Sequence, residues 1–65
     1  EALLIDSKSP LHLAQIFDGS GRLVLSTSLN NVLNYSLDLN TLHSGAYRII
    51  LSGVNGYKEF PLVKF

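Results

Sequence analysis

The side chains with scope for acid–base or metal chemistry are His12, His43, Asp6, Asp18 and Asp38, spread along a 65-residue chain that has no cysteine. Catalysis by a nucleophile or a general base needs a reacting group, its base and an orienting partner that can meet. The spacings here suggest no such set. Two histidines without a cysteine or a paired acid also fall short of a transition-metal site. His12 sits in an apolar run and reads as strand surface, and His43 sits in a short loop and reads as a packing or hydrogen-bonding residue. Asp18-Gly19-Ser20-Gly21 has the acid and the glycines of a calcium loop but lacks the alternating oxygen ligands and the closing glutamate. It is no phosphate cradle either, because the residues after it read as a strand and not as a helix. Asn34-Tyr35-Ser36 is a glycosylation triplet placed within a strand, where the strand reading takes precedence. Tyr35, Tyr47 and Tyr57 read as half-buried sheet residues and not as a stacking platform. The sequence therefore points to no enzyme, no metal and no cofactor.

Composition narrows the class further. Five Lys and Arg balance five Asp and Glu in scattered positions, so there is no basic patch to grip a phosphate backbone, and nucleic acid is not an expected partner. No apolar run approaches the roughly 18 residues of a membrane-spanning helix, and no basic segment precedes an apolar one in leader order. A chain of this size makes one domain with a thin core, since it buries only about 60% of the surface its unfolded form exposes.

The elements that must position these residues are strands. Residues 2–6 are a short apolar run ending in a polar turn at Asp6-Ser7-Lys8-Ser9-Pro10. In residues 11–17 both registers carry apolar side chains; Gln15 interrupts the odd one, which favours Ala14 and Ile16 as the core-facing pair. Asp18-Gly19-Ser20-Gly21 is a tight reversal with a positive-φ residue at the Asp-Gly step, returning into a strand at residues 22–26. Residues 27–31 are polar and turn-like. Leu33, Tyr35, Leu37 and Leu39 then alternate with Asn34, Ser36 and Asp38, the pattern of a sheet with one wet face. Residues 40–44 are too short for a stable helix and predict a turn with Leu42 tucked down as a plug and Gly45 taking a backbone angle costly to other residues. Residues 45–51 form an interior strand with Tyr47, Ile49 and Leu51 on the core face. Asn55-Gly56 is a hairpin turn, bringing residues 57–65 back beside the opening strand as an edge protected by Lys58, Glu59, Pro61 and Lys64. Six short strands predict an all-β fold, a small sandwich or incomplete barrel.

Three blocks in this order resemble a known family. Ile16-Phe17-Asp18-Gly19-Ser20-Gly21-Arg22-Leu23-Val24 is similar to the "Ile-Tyr-Asp-x-x-Gly-Arg-x-Val" hairpin of the C-terminal sorting domains carried by cargo of the type IX (Por) secretion system of Bacteroidetes. Residues 37–50 resemble that family's "x-Asp-Leu-Ser-x-Leu-x-x-Gly-x-Tyr" block, and the chain ends, as the family does, in a glycine-containing hairpin and a last strand bearing Lys64.

The resemblance implies a small Ig-like antiparallel β-sandwich that serves as a secretion and sorting signal. Its implied partners are the outer-membrane translocon, its shuttle protein and a surface sortase, together with a cargo domain attached N-terminally. The implied location is secreted or cell-surface, reached through the periplasm and outer membrane. By position, Gly21 and Arg22 would fix the first hairpin, Gly45 and Tyr47 the second unit, and Lys58 and Lys64 would lie in the region associated with recognition. The family's opening "Tyr-Pro-Asn-Pro" segment is absent, which predicts that residues 1–65 form a single sorting-type domain without its first strand or opening segment. Pro61 stands near a position where members commonly carry another lysine. An open sheet edge also offers a route to a dimer. The competing expectation is an Ig-like accessory or glycan-binding module of an extracellular protein.

Overall fold

The computed structural model describes residues 2–65. They form one antiparallel sheet of four strands without a helix: β1 (Ala2–Asp18), β2 (Leu23–Asp38), β3 (Gly45–Gly53) and β4 (Gly56–Lys64), in the order β2-β1-β3-β4. The all-β expectation is met, and β3 is interior with β4 at an edge, as read from sequence. The strand count is corrected from six to four. The first two expected strands are one 17-residue strand, and the next two are one 16-residue strand.

Those two strands cannot be straight. At about 3.3 Å per residue, 17 residues would span about 56 Å, whereas the longest extent of the molecule is 30 Å. Both bend near their middles. The β1–β2 register shifts between Asp6 and Leu11 and again between Leu11 and Leu13. On the other side of β1, Leu11 pairs with Gly53 and Leu13 with Ser52, so His12 is one extra residue, a β-bulge. In β2 the bend falls at Asn31, which has φ 51°, a left-handed conformation that asparagine tolerates better than most residues. The polar stretches expected to be turns are thus the bends of continuous strands.

The bulge also explains the ambiguous alternation of β1. Ile5 and Leu11 are buried in the odd register, and Ala14 and Ile16 in the even one. An extra residue between Leu11 and Leu13 moves the inward face from one parity to the other. With the strands bent, both halves of the sheet contribute side chains to the same core. Ile5, Leu11, Ala14, Ile16, Leu29, Leu37, Leu39, Leu42 and Ile49 make one core, with Tyr35, Tyr47, Leu51 and Leu62 packed against it. Leu33, expected inside, is exposed because it follows the Asn31 bend.

Strand β4 hydrogen-bonds along its whole length to β3, which corrects its expected place beside the opening strand. It meets residues 3–6 only across a shallow apolar concavity of about 230 Å³, lined by Leu3, Ile5, Ile49, Phe60 and Leu62 among others.

Candidate functional site

The residues singled out from sequence fall at two ends of the sheet. Asp18 pairs with Tyr47 and Gly45 with Lys64 at one end, whereas Leu11 pairs with Gly53, and Gly53 with Gly56, at the other. The structure therefore brings Asp18, Gly45, Tyr47 and Lys64 toward one end and sets Asn55, Gly56 and Lys58 toward the opposite one.

At the first end, one carboxylate organises the β1–β2 hairpin. Asp18 Oδ1 accepts from the Ser20 amide at 3.0 Å, the Ser20 hydroxyl at 2.7 Å and the Arg22 amide at 3.0 Å. Oδ2 faces Arg22 Nε at 3.3 Å. The Asp18 amide donates to the Arg22 carbonyl, and the Gly21 amide donates to the Asp18 carbonyl. The Ser20 hydroxyl, then the Arg22 amide, lower the Asp18 pKa from 3.8 to about 2. The positive φ expected at the Asp-Gly step lies at Gly21 (φ 88°), not at Gly19. This is a turn held by an acid, with the Arg22 side chain as its ion-pair partner.

Beside it lies the crossover from β2 to β3. The Asn40 amide donates to Asp38 Oδ1 at 2.9 Å, and the Leu42 amide donates to the Leu39 carbonyl at 3.0 Å. Leu39 and Leu42 are both buried, so the turn is pinned by two plugs. Gly45 follows at φ 154°, and the Tyr47 hydroxyl donates back to the His43 carbonyl at 2.7 Å. A tyrosine at the start of a strand that bonds to backbone a few residues upstream makes a contact similar to the tyrosine corner of Ig-like sandwiches. "Leu-x-x-Gly-x-Tyr" is thus one device: Leu42 anchors, Gly45 turns and Tyr47 ties the loop to its strand.

Lys64 joins this device from the chain's far end. Its ammonium donates to the Leu39 carbonyl at 2.6 Å and the Leu42 carbonyl at 2.8 Å, and the residue is half-buried. Sequence reading placed Lys64 in a recognition strand and had no signal for these bonds, whose partners lie 25 and 22 residues away.

At the opposite end, the Asn55-Gly56 turn closes the β3–β4 hairpin, with Gly56 at φ 108°. Asn55 Nδ2 donates to Ser9 Oγ at 2.8 Å, and the Val54 amide to the Pro10 carbonyl at 3.4 Å. The hairpin therefore leans on the bend of β1. Gly53 allows this approach, because a Cβ there would overlap the Pro10 carbonyl oxygen. Sequence reading missed Gly53, whose requirement comes from a residue distant in the chain.

Between hairpin and bend lies an open concavity of about 340 Å³ lined by Asp6, Lys8, Asn55, Tyr57, Lys58 and Phe60, among others. Lys58 is exposed and, among the described residues, has no ion-pair partner. Lys58, Phe60, Leu62 and Lys64 share one face of β4 by the two-residue period, which is the face of the buried Ile49, opposite Phe60 in the ladder. On the other face Arg48 of β3 forms an exposed ion pair with Glu59 of β4.

Neither histidine gains a partner set: His12 is the exposed bulge, and His43 contributes its backbone carbonyl. Among the described residues no three metal-ligating side chains gather. The arrangement can present a surface shaped by its turns.

No curated protein sequence and no solved structure matches the chain. A family model does match, that of the secretion system C-terminal sorting domain, over residues 1–62. These residues include the Asp18 hairpin, the Leu42-Gly45-Tyr47 crossover and β4 as far as Leu62. The chain therefore belongs to the family of secretion system C-terminal sorting domains, the signal modules of type IX secretion.

Proposed function

We propose that this domain is a non-catalytic address that sends an N-terminally attached cargo across the outer membrane through the type IX translocon. In this reading a shuttle protein receives the folded domain, and a surface sortase then separates it from its cargo. The cargo becomes secreted or held at the cell surface. The observation that carries the reading is the family match over residues 1–62. It is supported by the use of the motif residues Asp18, Gly21, Arg22, Gly45 and Tyr47 for turn geometry.

The exposed end of β4 around Lys58 is the candidate docking region. Lys64, at its other end, faces inward onto the crossover turn. Residues 2–6 pair with β2 on one side and leave their other edge free, an edge open to a further strand. Pairing of two copies through an open edge is a further proposal within this reading.

A second reading, glycan binding by an accessory module, draws on Tyr57, which is 70% exposed at the rim of the 340 Å³ concavity. Titration of the purified domain against the shuttle protein and, in parallel, against a glycan panel separates the two. The sorting reading expects saturable binding to the shuttle protein that Lys58→Glu weakens, and a flat response to glycans. Saturable glycan binding lost in Tyr57→Ala, with no response to the shuttle protein, would reverse the assignment.

A further inference from the structure

Strand β4 carries two inward-facing lysines six positions apart, about 20 Å along an extended strand, and their surroundings differ in kind. Lys58 stands in open solvent at the concavity. Lys64 is half-buried, and two backbone carbonyls, those of Leu39 and Leu42, take two of its three N–H bonds. Among the described residues no carboxylate forms an ion pair with Lys64; their ion pairs are Arg22 with Asp18 and Arg48 with Glu59. Its positive charge is therefore met by carbonyl dipoles, the ligands a turn offers to a bound cation. The Leu39 carbonyl already accepts from the Leu42 amide, so the ammonium closes a turn that has begun to close on itself. Leu39 and Leu42 are both core plugs; fixing their carbonyls fixes how the plugs enter.

We propose that Lys64 is an intramolecular latch: its ammonium occupies a carbonyl cup at the β2–β3 crossover and locks the "Leu-x-x-Gly-x-Tyr" unit to the end of the terminal strand. The two lysines of β4 thereby have separate roles. Lys64 acts inward as a positioning residue, and Lys58 is the one an approaching partner can reach. The division of roles rests on the sorting reading only for the identity of that partner; the latch itself does not depend on it. A partner that drew Lys64 away would loosen the crossover, so capture of this end of β4 and the order of the turn are coupled.

The Leu42 amide, bonded to the Leu39 carbonyl, reports on the latch directly, and so does the lysine ammonium in the unmodified protein. In wild-type protein, nitrogen-15 relaxation of the side-chain ammonium groups should show Lys64 restricted and Lys58 freely rotating, with hydrogen-bond couplings from Lys64 to the carbonyls of residues 39 and 42. In Lys64→Ala, exchange of the Leu42 amide should quicken about tenfold, the loss of roughly one charge-assisted bond, while the Ile16 and Ile49 amides hold within about twofold. Propylammonium chloride should restore part of the Leu42 protection, and sodium chloride at the same concentration should not. Equal mobility of the two ammonium groups, or Leu42 exchange unchanged by Lys64→Ala, would overturn the latch. A reporter that failed to be exported would count against the sorting reading and leave these results standing.

Discussion

Asp18 shows how little chemistry this chain assigns to its titratable groups. Its carboxylate is a turn fastener, and the Ser20 hydroxyl and Arg22 amide keep its pKa near 2 against an ordinary 3.8. Because the folded value lies below the unfolded one, the stabilisation is complete above pH 3.8 and is lost as pH falls toward 2. Thermal melts in that acid window should show a pH dependence that Asp18→Asn removes, and Ser20→Ala should raise the Asp18 pKa in a carboxylate titration followed by NMR. An Asp18 that titrates at its ordinary value would contradict the turn geometry. Gly53 makes a second residue-scale case. A methyl group there meets the Pro10 carbonyl oxygen, so Gly53→Ala should lower stability by about 1–3 kcal/mol, read as a fall in Tm. At the β2–β3 crossover, Tyr47→Phe deletes only the hydroxyl bond to His43 and should cost about 0.5–1.5 kcal/mol by denaturant unfolding. A cost near zero would show that this hydroxyl is satisfied equally well by water.

Among the elements, the hairpins were legible in the sequence and the bends were not. Asp18-Gly19-Ser20-Gly21 and Asn55-Gly56 announce reversals through local chemistry, and both reversals are found. The core faces of residues 45–51, and of Ala14 with Ile16, also follow from local pattern. The polar stretches at Ser7–Ser9 and near Asn31 carry the same residue types as turns, yet the chain continues through them as strand. What distinguishes a bend from a reversal there is the partner strand: Asp6 still pairs with Asn34 and Leu11 with Val32. That pairing is a long-range fact with no local signature. The contacts of Gly53 with Pro10 and of Lys64 with the crossover were hidden for the same reason. Strand β4 lies at an edge, and its Arg48–Glu59 pair is exposed. A double-mutant cycle on that pair should yield less than about 1 kcal/mol. A larger coupling would mean that the pair, not the β3–β4 ladder and the apolar face, holds the edge in place.

For the molecule as a whole, the design is a small bent sheet closed at both ends by turns and open at the concavity between β4 and the first half of β1. Ile16, with no exposed surface, sits at its centre, and the family motifs sit at its turns. In the proposed sorting role, such an arrangement would offer a folded object with an exposed edge strand. It also explains why the motifs are spent on glycines, a tyrosine and an aspartate whose roles are geometric. The proposed sorting role makes a clear demand: the folded domain must suffice to redirect an unrelated protein. The direct measurement fuses a periplasmic reporter to the N-terminus of this domain in a type IX-competent bacterium and quantifies reporter at the cell surface and in the medium, beside a fusion to an authentic family signal. The sorting assignment predicts surface or secreted reporter with the intact domain, and its loss in a strain lacking the translocon. Reporter retained in the periplasm while the authentic signal succeeds would contradict it.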